Sequence, residues 1–82
     1  MYFVYILQCA DGTLYTGITT DLLRRLAQHK SGKGGNYTRA HTVEKIVYSE
    51  KASSRSLALR REAEIKRWPR AKKLELIRHG HR

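Results

Sequence analysis

Residue types that stabilise secreted or membrane proteins are scarce in this chain. Its 82 residues include one cysteine, Cys9, so no disulfide can form within the chain, and a reducing, cytoplasmic compartment is expected. No apolar run approaches the roughly 20 residues that a membrane span requires. The apolar start of the chain is short and lacks the basic segment of a signal peptide. The sequence therefore predicts no disulfide framework, no membrane span and no signal for secretion.

Acidic residues are also few, and their scarcity is the strongest signal in the composition. Seven Asp and Glu stand against 17 Lys and Arg, which gives a formal net charge of +10. A positive excess of this size is typical of nucleic-acid binders, in which the release of counterions from phosphates supplies much of the affinity. An acidic membrane surface or an acidic protein is the alternative partner. We expect nucleic acid as the partner, and no membrane.

The pattern of apolar and turn residues predicts a single α+β domain over residues 1–82, with elements in the order β-β-α-β-α-α. Three short antiparallel strands flanked by helices would enclose one small core. The predicted strands are Tyr2–Cys9, Thr13–Thr19 and Val43–Glu50, and the predicted helices run from Thr20 or Asp21 to about Lys30, from Ser53 or Ser54 to Trp68, and from about Arg70 to Arg78.

The turn at Asp11-Gly12 decides whether two tyrosines share a face of the sheet. A two-residue turn puts Tyr5 and Tyr15 on opposite faces. A three-residue loop with Gly12 in the left-handed conformation pairs Cys9 with the residue after the loop, and the two tyrosines then share a face. We predict the longer loop, because a shared site requires it.

The first predicted helix carries Arg25 and His29, four residues apart at one border of an apolar stripe of Leu22, Leu23 and Leu26. A guanidinium can bind two non-bridging phosphate oxygens at once. An imidazole can donate to a phosphate or assist proton transfer. The alternative is a solvated helix face without a functional role.

Glu62 is the acidic residue best placed to hold a cation. It borders the apolar side of the second helix, between Ala58 and Ile65. A carboxylate held against the sheet suits Mg²⁺, which completes its shell with waters and substrate phosphate. The alternative is an ion pair with a neighbouring basic residue. The apolar sides predicted for the last two helices are Leu57, Ala58, Ile65 and Trp68, and Ala71, Leu74 and Ile77.

Tyr5 and Tyr15 can be read either as catalytic groups or as core and cross-strand aromatic partners. A tyrosine acts as a general base only if cations lower its pKa from about 10, and we expect the basic background, Arg25 and a metal to do so. Gly17 follows in the same predicted strand, and a glycine there indicates close approach by a backbone or a ligand.

In this order and spacing, these residues resemble the GIY-YIG nuclease family, which is named after two tripeptides. They correspond to Val4-Tyr5-Ile6 and Tyr15-Thr16-Gly17, followed by the helix with Arg25 and His29 and by a later helix with Glu62. Val4 and Thr16 differ from the family's usual glycine and isoleucine, at positions that carry no chemistry. The chain is most similar to the small stand-alone bacterial members, which resemble the catalytic domain of structure-specific endonucleases.

The resemblance implies a Mg²⁺-dependent endonuclease that hydrolyses DNA phosphodiester bonds in repair or recombination structures, with Mn²⁺ as an alternative ion. It implies that Tyr5 is the base, directly or through a water, and that Tyr15 orients the water or the phosphate. Arg25 would stabilise the pentacoordinate phosphate with assistance from His29, and Glu62 would hold the metal.

The resemblance also implies substrate contacts and partners. Gly17 would let the scissile phosphate approach, and Tyr37, Arg39 and His41 would bind substrate, since the small members share a stretch like Asn36-Tyr37-Thr38-Arg39. Because such nucleases usually carry an added domain, substrate affinity is expected to come from the chain's own basic surface, or from a partner protein or a homodimer. The main alternative function is a non-catalytic nucleic-acid-binding module with a nuclease-like fold. A basic scaffold protein that contacts RNA is a third reading, and it predicts that the five candidate catalytic residues do not converge.

Overall fold

The order of the elements follows the prediction and gives an α+β fold. The computed structural model describes residues 1–32 and 42–80. The strands Leu14–Thr19 (β2), Tyr2–Cys9 (β1) and Val43–Ala52 (β3) form, in that order, a three-stranded antiparallel sheet. None of the described helices is long and apolar enough to cross a membrane. The elements are β1 at Tyr2–Cys9, β2 at Leu14–Thr19, α1 at Leu22–Lys30, β3 at Val43–Ala52, α2 at Arg55–Lys66 and α3 at Arg70–His79.

The hairpin between β1 and β2 has the predicted three-residue loop. The Cys9 N–H donates to the Thr13 carbonyl at 2.9 Å, and Gly12 takes a φ of +88°, a left-handed conformation that glycine adopts without strain. The Asp11 carboxylate accepts from the Thr13 N–H at 3.0 Å and holds the turn. This register is confirmed, and it opposes Tyr5 to Gly17, two residues from Tyr15 on the same face.

The central strand β1 buries both of its faces, so the core has two parts. Val4 and Ile6 pack against Ala58 and Ile65 of α2, and α3 adds Leu76 and Ile77 to this side. The alternate residues of β1, from Tyr5 to Cys9, pack on the other side against Leu22 and Leu26 of α1. Because side chains alternate along a strand, the tyrosine face of the sheet is the face that α1 covers.

Helix α1 is capped as expected but buries a different stripe. Asp21 is the N-cap, and its Oδ1 accepts from the Arg24 N–H at 3.1 Å. The prediction that Leu23 is buried is wrong, since its side chain is 82% exposed. The buried stripe instead follows the i, i+4, i+7 positions Leu22, Leu26 and His29. Leu23 is rotated by about 100° around the helix axis from Leu22, and its side chain therefore points toward solvent.

The predicted packing of the last two helices also needs correction. Helix α2 ends at Lys66 rather than Trp68, because the N–H groups of residues 67 and 68 donate to carbonyls three residues back and close the helix before Pro69. Trp68 still packs against the core from the link between α2 and α3. Three further residues that were predicted to lie on the apolar sides of these helices are exposed instead: Leu57, Leu74 and Ala71. Strand β3 continues past the predicted end at Glu50 to Ala52, because Ala52 pairs with Tyr2.

Candidate active site

A buried hydroxyl group connects three of the residues that the sequence singled out. Tyr5 on β1 is fully buried, and its phenol oxygen lies 2.8 Å from Nε2 of His29. Arg25, one turn earlier on α1, donates from Nε to the same oxygen at 3.3 Å. Because α1 packs on the tyrosine face of the sheet, the i, i+4 spacing brings both side chains to one phenol.

His29 is held neutral beside this phenol. Burial first, and the positive charge of Arg25 second, lower the pKa of His29 from 6.5 to about 4. A neutral imidazole has one N–H. Arg25 can only donate to the Tyr5 oxygen, whereas the direction of the Tyr5–His29 hydrogen bond depends on which imidazole nitrogen carries the proton. The alternative of a solvated helix face is therefore wrong for His29, which is 1% exposed.

The phenol of Tyr5 is itself neutral, contrary to the expectation that nearby cations lower its pKa. Burial raises the pKa of Tyr5 above 10 and outweighs the hydrogen bond and charge of Arg25, which act in the opposite direction. The negative charge of Glu62 adds to the rise. Desolvation penalises the phenolate more than one guanidinium stabilises it. At neutral pH, Tyr5 is thus a neutral phenol that accepts from Arg25 and is hydrogen-bonded to neutral His29.

Tyr15 stands between this buried pair and the surface. Its ring centroid lies 6.5 Å from that of Tyr5 and 5.3 Å from that of His29. Tyr15 is partly buried rather than fully buried. The ammonium of Lys66 lies 5.9 Å from the Tyr15 ring centroid, within cation–π range. Of the two tyrosines, Tyr15 is the one that solvent or a ligand can reach directly.

Gly17 leaves room for Tyr5. A Cβ added to Gly17 would lie 2.6 Å from the Tyr5 hydroxyl oxygen and 2.8 Å from Cζ of the same ring. The Tyr5 ring therefore extends over the opposing residue of β2, where any larger residue would displace it. In this structure the group that approaches Gly17 closely is the catalytic candidate Tyr5.

Glu62 approaches the cluster from α2. Its side chain is 18% exposed, and its Oε2 lies 3.4 Å from Nζ of Lys66. Lys66 connects the Glu62 carboxylate to the cluster, because its ammonium also lies 5.9 Å from the Tyr15 ring centroid. The ion pair that the sequence left open as an alternative is therefore formed. It does not prevent a metal role, because the Lys66 side chain is 50% exposed and free to swing into solvent.

The donor set fits a cation that is bound mainly by water and phosphate. Within residues 1–32 and 42–80, no group of three or more Asp, Glu, His or Cys lies close enough together to form a complete metal cage. Mg²⁺ commonly binds through one or two carboxylates and keeps several waters. A single carboxylate at Glu62, whose side chain is 18% exposed, agrees with that arrangement.

Of the nine candidate site residues, the structure brings Tyr5, Tyr15, Gly17, Arg25 and His29 together and brings Glu62 within reach of them. This convergence is contrary to the third reading, a basic scaffold with scattered residues. Tyr37, Arg39 and His41 lie outside the described residues.

The sequence reasoning missed three residues near the cluster. Gln28 accepts from Nη1 of Arg25 at 3.1 Å and orients the guanidinium. Lys66 lies four residues after Glu62, a spacing that signals an ion pair. Arg55 lies seven residues before Glu62, which places it two turns away on the same side of α2.

Comparison with known proteins agrees with these features. Residues 1–75 match the model of the GIY-YIG catalytic domain. A UPF0213 protein of Natronomonas pharaonis is 50% identical over 76 residues, which cover 93% of this chain and 89% of that protein. A UPF0213 protein of Streptococcus agalactiae is also 50% identical, with 93% of this chain and 86% of that protein covered.

A solved structure supports the fold independently. The solution NMR structure of the UPF0213 protein BH0048 from Bacillus halodurans has a TM-score of 0.59 and 45% sequence identity to this chain. The match covers 94% of this chain and 83% of that chain.

Proposed function

This chain belongs to the GIY-YIG catalytic domain family, and from that premise we propose that it is a Mg²⁺-dependent endonuclease that hydrolyses DNA phosphodiester bonds. The family is a nuclease family and implies a nucleic-acid substrate. The choice of DNA, the metal and a role on repair or recombination structures are parts of the proposal. The net charge of +10 supports a polyanionic substrate.

The observation that carries the proposal is the hydrogen-bonded cluster at Tyr5. An apolar side chain at position 29 would satisfy the packing between α1 and the sheet without a buried imidazole. Instead, His29 is buried with one nitrogen that has no hydrogen-bond partner among the described residues, an arrangement that costs stability. Buried polar groups with a strongly shifted pKa are concentrated at functional sites.

The proposed reaction is attack of a water on the scissile phosphorus, with departure of the leaving nucleoside oxygen. Arg25 is partly buried and would bind the non-bridging oxygens, where negative charge increases in the transition state. Because Tyr5 is fully buried, its phenol would meet the water only when Arg25 moves from Tyr5 to the phosphate. The Tyr5 oxygen would then accept the water's proton as its own hydrogen passes to Nε2 of His29, 2.8 Å away.

Glu62 would hold Mg²⁺, or Mn²⁺, after release of Lys66. Once bound, the cation would supply positive charge to the phosphate oxygens. Tyr15, at the surface of the cluster, would orient the water or the phosphate. Gly17 would keep the space over β2 open for the Tyr5 ring and for the substrate beside it.

A second function has a specific observation in its favour. The Glu62–Lys66 ion pair and the full burial of Tyr5 describe a site that is closed toward substrate. A protein with this closed site would bind nucleic acid through its positive charge without cleaving it. Such a non-catalytic binding module is the alternative.

Cleavage assays distinguish the two functions. Labelled single-stranded, duplex, flap and junction DNA would be incubated with Mg²⁺ at low salt, with wild type and with Glu62→Ala. Glu75→Ala is the matched control, because Glu75 is an exposed glutamate on α3. We expect cleavage by wild type and Glu75→Ala and none by Glu62→Ala. Binding without cleavage by all three proteins would refute the enzyme and favour the binding module.

A further inference from the structure

A cleft with an excess of positive charge adjoins the Tyr5 cluster. It has a volume of about 370 Å³ and lies where the end of β2 and the first residues of α1 and α2 meet. The side chains that define its chemistry are Tyr2, Asp21, Arg24, Arg25, Gln28 and Arg55. Three arginines thus line one small space, and Asp21 is the one acidic residue of its lining.

That carboxylate is already engaged. Asp21 caps α1 by accepting the backbone N–H of Arg24. No salt bridge within residues 1–32 and 42–80 involves Arg24 or Arg55, and both are exposed. Positive charges that share one cleft repel one another, and an anion bound between them relieves that repulsion. The planar geometry of a guanidinium group suits phosphate oxygens.

Arg25 links the cleft to the candidate active site. It lines the cleft, and its Nε contacts the Tyr5 hydroxyl at 3.3 Å. A strand whose scissile phosphate is bound at Arg25 would therefore place a neighbouring part of its backbone in the cleft. Tyr2 lines the same cleft and offers an aromatic wall, a feature of grooves that hold flexible single strands.

We infer that Arg24 and Arg55 form a second phosphate subsite, which holds one backbone phosphate of the substrate strand beside the scissile one. The inference deepens the proposed function and rests on it for the identity of the strand as substrate. The subsite positions the substrate and touches no reacting atom. It supplies affinity and register, whereas the Tyr5 cluster supplies the chemistry.

Binding without cleavage isolates the subsite. The affinity of a fluorescent single-stranded oligonucleotide would be measured by anisotropy in EDTA across a salt series. Arg24→Gln with Arg55→Gln should weaken binding by about tenfold or more at low salt, because two charge-assisted contacts are lost. The slope of log K against log salt should fall by about 0.7, the value for one phosphate on a single strand.

The matched control removes two positive charges elsewhere. Lys45 on β3 and Arg78 on α3 are exposed and do not line the cleft, so Lys45→Gln with Arg78→Gln should bind almost as wild type does. Asp21→Asn tests whether a gain of positive charge in the cleft increases the affinity. Asparagine also caps helices, and removing the only carboxylate of the cleft should tighten binding.

The outcomes also separate the inference from the proposed function. Equal losses in the two double variants would overturn the subsite, because bulk charge would then account for binding. Unchanged affinity of Arg24→Gln with Arg55→Gln in a protein that cleaves DNA would overturn the subsite and leave the nuclease intact. A specific loss of binding in a protein that never cleaves would support the subsite and refute the nuclease.

Discussion

Acidification should weaken the fold at His29 in a defined pH range. Burial and Arg25 hold the pKa of His29 at about 4 in the folded protein, against about 6.5 in an unfolded chain. Between these values the unfolded chain binds a proton that the folded protein does not. Stability therefore rises with pH across this range, and the contribution of neutral His29 is fully present above pH 6.5 and lost as the pH falls toward 4.

The magnitude follows from the same two values. A shift of the His29 pKa from 6.5 to about 4 corresponds to about 3 kcal/mol of unfolding free energy. A domain of this class has roughly 5–15 kcal/mol in total. The loss at one side chain is therefore a large part of the whole, and it should be visible in urea unfolding at a series of pH values.

His29→Gln removes the titration but keeps an uncharged group that can accept from Tyr5. The carboxylates are the same in both proteins, so the difference in unfolding free energy between wild type and variant isolates His29. We expect wild type to lose about 3 kcal/mol relative to the variant between pH 7 and pH 4. A constant difference across this range, or an NMR titration of His29 with a midpoint near 6.5, would refute the account of a buried neutral imidazole.

Three further predictions concern the same cluster. Tyr5→Phe should lower the free energy of unfolding by about 1–3 kcal/mol, because it leaves His29 and Arg25 without the phenol oxygen, and it should abolish DNA cleavage. Tyr48→Phe removes a hydroxyl outside the site and should keep the wild-type cleavage rate. Equal cleavage rates for the two variants would exclude Tyr5 from the reaction. Gly17→Ala should destabilise the fold by about 1–3 kcal/mol in urea unfolding, since its Cβ would lie 2.6 Å from the Tyr5 oxygen, and a stability equal to wild type would contradict this packing. Arg25→Ala should reduce single-turnover cleavage far more than DNA affinity, and equal losses would make it a binding residue only.

Local signals in the sequence were sufficient for the ends of α1, and they narrowed the hairpin to two possible loop lengths. Gly12 fits the left-handed position of a three-residue loop, and that loop alone determines which residues oppose each other across β1 and β2. Asp21 caps α1 because its carboxylate accepts a free N–H of the first turn. The cap of α1 depends on neighbouring residues alone, whereas the choice of the three-residue loop depended on placing Tyr5 and Tyr15 on one face of the sheet.

The environment of His29 could not be predicted in the same way. Helical spacing places Leu22, Leu26 and His29 on one side of α1, but a histidine is compatible with the border of a buried stripe as well as with its centre. We predicted that Leu23 is buried, but the side chain that packs into the interior against the sheet is His29. The sign of the pKa shift at Tyr5 was wrong for a related reason. The expectation of a lowered pKa was based on the basic residues in the sequence. The burial that raises the pKa of Tyr5 depends on how α1 packs on the sheet.

The two candidate functions place different demands on these residues. A binding module requires exposed cations, and Arg24 and Arg55 meet that need from the cleft. A binding module does not require a buried neutral imidazole, whose protonation in the folded protein lowers the free energy of unfolding by about 3 kcal/mol. A Tyr5–His29 pair that is hydrogen-bonded at 2.8 Å and screened by Arg25 is useful where a proton must move when a phosphate draws Arg25 away. On the proposed function, the cleft would bind the strand and the buried Tyr5–His29 pair would transfer the proton. Substitutions in the cleft should act on affinity, and substitutions in the pair should act on turnover.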